Sequence, residues 1–239
     1  MAHLTSDWVN STHLGRDGFC RTPGIHAAMF RNCFGYSEHF SPGLLTSTTT
    51  YPGFTVTAIT ASSSGTLVMA DRLGGWLDLT GGTHDGAGIQ MQTDGEMYLP
   101  AAGDYIFFEA SVKAADADDL DWFLGLSKTD TNVFSTDPAS LIAFRGDDGD
   151  ANIDFQVRSG GVGAQADTGS NLGDGTAVRL GFLVDGITSV TPFVNGAAGT
   201  RVTTNIPTEE LTITYGMLNG GTTGNNTFGL DWVRVVQVL

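Results

Sequence analysis

The stretch RLGFLVDGITSVTPFVNG, residues 179–196, is the part of the sequence that most clearly indicates how the chain folds. Every second residue of its first half is apolar, namely Leu180, Phe182 and Val184, and this period of two is typical of a strand with one buried face. Asp185-Gly186 and Asn195-Gly196 favour the positive φ angles of hairpin turns. Because Pro192 has no amide donor, the second strand is expected at an edge or a bulge.

The same alternation recurs along most of the chain after residue 52. It is clear in YIFFEASVK (105–113) and NIDFQVR (152–158), and turn-rich clusters such as GGTHDGAG (81–88) separate the apolar runs. About a dozen short strands without a convincing amphipathic helix predict an all-β domain over residues 53–239. We expect two packed antiparallel sheets in a sandwich or jelly roll.

The last strand, FGLDWVRVVQVL (228–239), is apolar on both faces. Strict alternation assigns Leu230, Trp232, Val236 and Val238 to one face, and Val233 and Val235 to the other. A strand of this kind is expected at the centre of a sheet or beneath another element.

Composition and charge restrict the classes of partner. The chain has 239 residues, of which 41% are hydrophobic and 15% charged, as in one globular domain with an appendage. Its 11 Lys and Arg against 26 Asp and Glu give a formal charge of −15, which disfavours nucleic acid and anionic membranes as partners. The amino terminus lacks the pattern of a secretory signal, so synthesis and first use in a cytoplasm are expected.

Residues 1–52 are predicted to form an irregular amino-terminal arm, because they lack strand alternation. The arm is nevertheless rich in aromatic residues, which argues against a solvated tail. We predict that it docks on a neighbouring polypeptide, since aromatic anchors dominate interface energetics; packing against its own sandwich is the alternative. The predicted docking residues are Trp8, Phe19, Phe30, Phe34, Tyr36 and Phe40.

No recognisable catalytic set is found in the sequence. Sandwich-fold glycosidases of the concanavalin type use two carboxylates, usually at alternate positions of one strand. Glu109 is the best strand-borne acid, but neither alternate neighbour is acidic. A nucleophile elbow of the G-x-S-x-G type is absent, and Cys20 has no signature around it. These observations predict that the chain is not an enzyme and has no catalytic residue.

Three groups of residues have spacings that suggest metal sites. Asp148, Asp150, Asn152 and Asp154 alternate like calcium ligands, but Ile153 stands where an EF-hand requires glycine, which favours a solvated turn. Asp116, Asp118, Asp119 and Asp121 are expected in a solvated loop. Cys20, His26, Cys33 and His39 form a possible zinc set without the usual close pairs. The expectation is therefore no metal and no cofactor.

Four stretches together resemble a group of virion structural proteins of tailed bacteriophages with concanavalin A-like, laminin G-like jelly rolls. They are YIFFEASVKAADADDLDWFLGLSKTD (105–130), AFRGDDGDANIDFQVRSGG (143–161), DTGSNLGDGTAVRLGFLVDGITSVTPFVNG (167–196) and TTNIPTEELTITYGMLNGG (203–221). The resemblance covers residues 53–239. It implies a capsid decoration, or cement, protein on the capsid exterior, assembled in the host bacterial cytoplasm. The implied partners are the major capsid protein and further copies of the chain, for which we expect a homotrimer.

The alternative interpretation is a carbohydrate-binding module, in a tail fibre or on the capsid surface, that recognises host glycans. Such a module needs aromatic platforms beside polar side chains. The stretch GGWLDLTGGTHDG (74–86) is the best candidate, with Trp76, His84 and Asp85. A hydrolase is the third alternative.

Overall fold

The computed structural model describes residues 33–40, 47–61, 63–70, 75–221 and 226–239. These residues form strands and connecting turns, and none of them forms a helix long and apolar enough to cross a bilayer. The strands are β1 (Cys33–His39), β2 (Phe54–Ile59), β3 (Thr66–Ala70), β4 (Trp76–Thr80), β5 (Gly88–Thr93), β6 (Tyr105–Ala114), β7 (Leu120–Ser127), β8 (Leu141–Gly146), β9 (Asn152–Ser159), β10 (Val162–Asn171), β11 (Val178–Asp185), β12 (Ser189–Val194), β13 (Ala197–Ala198), β14 (Thr212–Asn219) and β15 (Thr227–Val238).

Two antiparallel sheets make up the molecule. One has eight strands in the order β13-β12-β11-β6-β15-β4-β3, with β1 also paired to β15, and the other has seven in the order β10-β9-β8-β7-β14-β5-β2. The prediction of a two-sheet antiparallel sandwich is therefore confirmed.

The core lies between the sheets and is rich in aromatic rings. Phe182 of the eight-stranded sheet stacks on Phe108 beside it at 4.7 Å between ring centroids, and reaches Phe144 and Phe155 of the opposite sheet. All of these side chains are buried. Because the rings interlock across the gap, they fix the spacing of the two sheets.

The hairpin that indicates the fold is present as predicted. β11 pairs with β12 from Asp185 opposite Ser189 onward, and Gly186 has a φ of 53° in the turn. Asn195 and Gly196 both have positive φ, at 50° and 83°, as a two-residue primed turn requires. The short β13 follows, so the proline-containing β12 lies near the sheet edge.

The last strand, β15, is central and buried on both faces, but strict alternation misassigned its faces. Its pairing with β6 is irregular between Leu230 and Trp232, where Asp231 is an extra residue. This bulge reverses the alternation. Leu230 therefore shares the main core with Val233 and Val235, whereas Val236 and Val238 belong to a separate outer cluster.

The arm prediction is wrong for residues 33–39, which form the regular strand β1. All seven residues pair in register with Val238 to Trp232 of β15. On one side of β15, strand β4 pairs only as far as Leu230, and β1 pairs with the rest of β15 on that side. Main-chain pairing of this kind does not require an apolar alternation, which explains why the sequence pattern missed it. Residues 1–32 and 41–46 lie outside the described residues.

Candidate functional site

The outer face of the eight-stranded sheet carries an unusual set of polar and aromatic side chains. In β6, Phe108, Ala110 and Val112 are in the core, so alternation places Glu109 and Lys113 on the opposite, outer face. In β4, Leu77 and Leu79 are in the core, so Trp76 and Asp78 lie on that same outer face. We call this surface the outer face below.

One end of the outer face is formed by Trp76, Asp78 and Lys113. The Lys113 ammonium lies 4.7 Å from the centre of the Trp76 ring, a cation–π contact. Gly229 of β15 is paired between Asp78 and Lys113. A Cβ atom at Gly229 would lie 2.6 Å from Asp78 Oδ1 and 3.3 Å from Lys113 Cε. The glycine is therefore what lets these two charged side chains approach each other across β15.

The centre of the outer face is organised by Arg234 of β15. Its guanidinium lies 4.6 Å from the centre of the Trp232 ring, and its Nε is 3.3 Å from Ser37 Oγ. Arg234 Nη2 lies 2.6 Å from His39 Nε2; because arginine can only donate, that imidazole nitrogen accepts. Burial lowers the pKa of Arg234 to about 10. Burial also raises the pKa of Asp231, and the nearby His39 acts in the opposite direction.

Glu109 lies between two arginines. Its Oε1 is 3.4 Å from Arg179 Nε of β11, and it stands directly opposite Arg234 in the β6–β15 ladder. Glu109 and Arg234 are each only 4% exposed. Buried charges need such partners to offset the loss of hydration, and Arg179 supplies one for Glu109.

Chemically, this arrangement suits polyhydroxylated ligands. Carboxylates accept hydrogen bonds from hydroxyl groups, while lysine and arginine donate them. Indole rings present flat apolar surfaces on which the C–H face of a sugar ring can pack. The outer face combines both kinds of group, drawn from five strands: β1, β4, β6, β11 and β15.

The six predicted docking residues are only partly described. Trp8, Phe19 and Phe30 lie outside the described residues. Phe34 is 38% exposed and stacks on Tyr98 at 5.5 Å. Tyr36 packs against the main core, and Phe40 is fully buried against Tyr51 and Tyr215. For Tyr36 and Phe40 the structure thus favours the alternative, packing within the chain's own sandwich. Docking by the rest of the arm stays a prediction.

The predicted glycan residues are only partly brought together. Trp76 begins β4, whereas His84 and Asp85 lie in the loop beyond its far end. His84 Nδ1 is instead close to Thr83 Oγ1 and Ser63 Oγ, at 3.1 and 3.3 Å. Asp78, two residues after Trp76, is the acid that shares its face.

The residues with metal-like spacing form turns and internal hydrogen bonds. Asn152 donates to Asp150, and Asp154 accepts from Gln165, consistent with an outward orientation. Asp121 accepts the amide of Asp148 at 2.8 Å. Burial raises the pKa of Asp121, and nearby carboxylates add to the shift. Across the described ranges no three His, Cys, Asp or Glu side chains are grouped so that they could hold a metal ion. Cys20 and His26 lie outside those ranges.

The outer face of the seven-stranded sheet is covered by its own loop, residues 128–140. Gln90 Oε1 accepts the amide of Val133, and Gln92 Oε1 accepts that of Asp130, both at 3.0 Å. Asp137 accepts from Arg145 and Arg158 at 2.7 Å each. This loop is therefore pinned at both ends and covers the strands beneath it.

Comparison with known proteins shows the fold. No family model matches the chain, and no curated protein is matched. Among solved structures, a Bacillus licheniformis β-glucanase has a TM-score of 0.59 at 16% identity, covering 84% of this chain and 97% of the other. A native glycosidic hydrolase has a TM-score of 0.57 at 13% identity, covering 84% and 94%. The carbohydrate recognition domain of Emp47p has a TM-score of 0.53 at 8% identity, also covering 84% and 94%.

These likenesses contradict the prediction that the chain is not an enzyme, because the fold is shared with glycoside hydrolases such as the β-glucanase. That prediction rested on the absence of paired carboxylates on one strand. It considered Glu109 on its own strand and took no account of Asp78, which a different strand brings to the same face. The chain has the concanavalin-like jelly-roll fold found in glucanases and in a carbohydrate recognition domain.

Proposed function

We propose that the chain binds carbohydrate on the outer face of its eight-stranded sheet. The observation that carries the proposal is the group formed by Trp76, Asp78 and Lys113, assembled over Gly229. It brings a flat aromatic ring, a hydrogen-bond acceptor and a donor next to one another on the sheet. The names of similar structures, a β-glucanase and a carbohydrate recognition domain, point to the same class of ligand.

In the proposed binding mode, a sugar ring takes the place of Lys113 on the Trp76 ring. In the structure the Lys113 ammonium lies over the half-buried Trp76 ring. A sugar ring replaces the flexible lysine stem on the indole, and the displaced ammonium then donates to a sugar hydroxyl. Asp78 is only 7% exposed, so its carboxylate is already oriented and loses little freedom on binding.

Titration calorimetry with a β-1,3-1,4-glucan oligosaccharide tests the proposal. Trp76→Ala and Asp78→Asn are expected to weaken binding by roughly tenfold each, equivalent to about 1.4 kcal/mol. Ile187→Ala is the matched control, since that side chain is 48% exposed in the β11–β12 turn. Unchanged affinity in both site variants, or no binding to any member of a glycan array, would overturn the proposal.

In the same samples, hydrolysis of the oligosaccharide is measured as the release of new reducing ends. Glu109 is the acid to test, because it is buried at the centre of the outer face between two arginines. Loss of released sugar in Glu109→Gln with binding retained assigns hydrolysis to this face. Binding without release in the unaltered chain identifies a binding module.

A capsid role is a second proposal, supported by the sequence resemblance to phage virion proteins. In this proposal the chain decorates the capsid exterior, bound to the major capsid protein and to copies of itself as a homotrimer. Quantitative mass spectrometry of purified virions tests it: hundreds of copies per particle support shell decoration, and a few dozen indicate a tail or vertex part. Absence from virions would reject it.

A further inference from the structure

Strand β10 is a long sheet edge that is exposed along its length. Its ten residues, Val162–Asn171, end the seven-stranded sheet, and within the described part of the chain they pair only with β9. Val162, at its start, is 64% exposed. The register with β9 is continuous from Val162 to Asp167 and breaks before Asn171. Six residues therefore present one side of their backbone to which no described strand is paired.

This edge lacks most of the features that usually prevent pairing with another chain. Edges are commonly protected by lysine, proline, a bulge or short length. β10 contains no Lys, Arg or Pro, and its irregularity is confined to the end near Gly169. By comparison, the two end strands of the eight-stranded sheet are protected. One, β13, has only two residues, and in the other, β3, the amide of Leu67 already donates to Thr48 O at 2.7 Å. Counted as whole strands, β10 with its ten residues is the longest described strand at a sheet edge, compared with seven residues in β1 and six in β2.

A groove runs beside β10, between the edges of the two sheets. It consists of two adjoining cavities of about 70 and 50 Å³ that share Thr168 and Pro192. Small side chains from both sheets form its walls, among them Ala166 of β10 and Ala197 of β13, and Phe155 and Val202 line it more deeply. An added strand would therefore have room for small apolar side chains on its inward face.

The outward side of the same edge is acidic. Asp154 of β9 stands directly opposite Asp167 of β10, and like charges at such positions repel. Gln165 donates to both Asp154 and Asp147; Asp147 is already paired with Arg145 at 3.0 Å, so Asp154 and Asp167 are the carboxylates that carry the charge of this rim. A second copy of this chain, with its charge of −15, would add negative charge here, whereas a basic strand would neutralise it.

We propose that the free edge of β10 binds an extended segment of a partner protein in which small apolar residues alternate with Lys or Arg. The segment pairs with the backbone of Val162–Asp167 as an added strand. Its apolar residues enter the groove, and its basic residues meet Asp154 and Asp167. The pairing edge belongs to the seven-stranded sheet and the groove lies between the two sheets, so this site shares no residue with the proposed glycan surface.

Binding of synthetic decapeptides to the full chain tests this proposal by fluorescence anisotropy. A peptide of alternating Lys and Val is expected to bind, and the matched Glu and Val peptide is not. N-methylation of every second amide of the Lys peptide removes its pairing edge and is expected to abolish binding. Equal binding of the N-methylated or the Glu peptide, or no binding of the Lys peptide at millimolar concentration, would overturn the proposal.

Charge variants locate the peptide on the chain. Asp154→Asn and Asp167→Asn are each expected to weaken binding of the Lys peptide by roughly threefold, the size of effect typical of an exposed ion pair. The effect should be larger at low salt. Asp85→Asn removes the same charge from an exposed loop and is the control. Equal effects of all three variants would reject this location. If the chain instead forms a dimer in solution, and Gln165→Pro or Ala164→Pro abolishes that dimer without changing the melting temperature, the occupant of this edge is a second copy of the chain and the proposed partner is wrong.

Discussion

Replacement of Gly229 by alanine tests how tightly the outer face is assembled. The new Cβ would lie 2.6 Å from Asp78 Oδ1, 3.2 Å from Trp76 Cε3 and 3.3 Å from Lys113 Cε. Ordinary carbon contacts need about 3.5 Å or more, so Asp78 has to move by almost 1 Å. Asp78 is 7% exposed and has little room to do so. Overpacking of this kind destabilises by about 1–3 kcal/mol.

Urea denaturation followed by tryptophan fluorescence measures the effect of Gly229→Ala on the free energy of unfolding. Gly173→Ala is the matched control, because its nearest atoms beyond its chain neighbours, in Thr176, would lie 3.7 and 3.8 Å from the new Cβ. We expect the control to be neutral or slightly stabilising. If Gly229→Ala unfolds at the same urea concentration as the unaltered chain and binds glycan equally well, the described contacts of Gly229 are wrong.

Three further predictions concern the sandwich itself. Phe182→Ala should lower the free energy of unfolding by about 3–5 kcal/mol, because the ring contacts Phe108, Phe144 and Phe155; a loss below about 1 kcal/mol in urea would contradict the interlocked core. Tyr215→Phe should stabilise the chain at pH 7 by roughly 1 kcal/mol, since the buried hydroxyl has no hydrogen-bond partner. Burial raises the pKa of Tyr215 well above 10.0, so above pH 10 this hydroxyl ionises in the unfolded chain but not in the folded one, and stability falls as the pH rises. The variant lacks this ionisation and should lose less stability between pH 9 and about 11; equal slopes would refute this. Asp137→Asn should destabilise the chain by about 1–3 kcal/mol: burial alone raises the pKa of Asp137, but Gln156, Arg145 and Arg158 together lower it below 3.8. The stabilising contribution of the Asp137 carboxylate is therefore present above pH 4 and is lost as the pH falls through the lowered pKa of Asp137. Melting temperatures of both proteins at pH 7 and about 3 check this.

The strands that the sequence predicts most clearly are those that bury one face. β6, β9 and β11 each show the alternation because Phe108, Phe155 and Phe182 enter the core. β10 was missed for the opposite reason, since both of its faces are largely exposed and its residues are small and polar. The bulge at Asp231 was also missed, because a single inserted residue leaves no composition signal.

The candidate site was predictable only where its residues are neighbours in the sequence. Trp76 was identified from its local stretch, but Asp78 beside it was not, since an acid within a strand has many uses. Glu109 was noted as the best strand-borne acid, yet its contacts with Arg179 and its position opposite Arg234 depend on the order of strands in the sheet. Pairings between distant strands of this kind do not follow from periodicity.

The indole resonances of the four tryptophans test the proposed binding surface most directly. In an NMR titration with a β-1,3-1,4-glucan oligosaccharide, each indole N–H is assigned by a Trp→Phe variant. Trp76 lies on the outer face, whereas Trp122 is buried between the sheets and stacks on Phe228. We predict a saturable shift of the Trp76 resonance with Trp122 unchanged; no shift of Trp76 by a glycan that binds the chain would contradict the proposal.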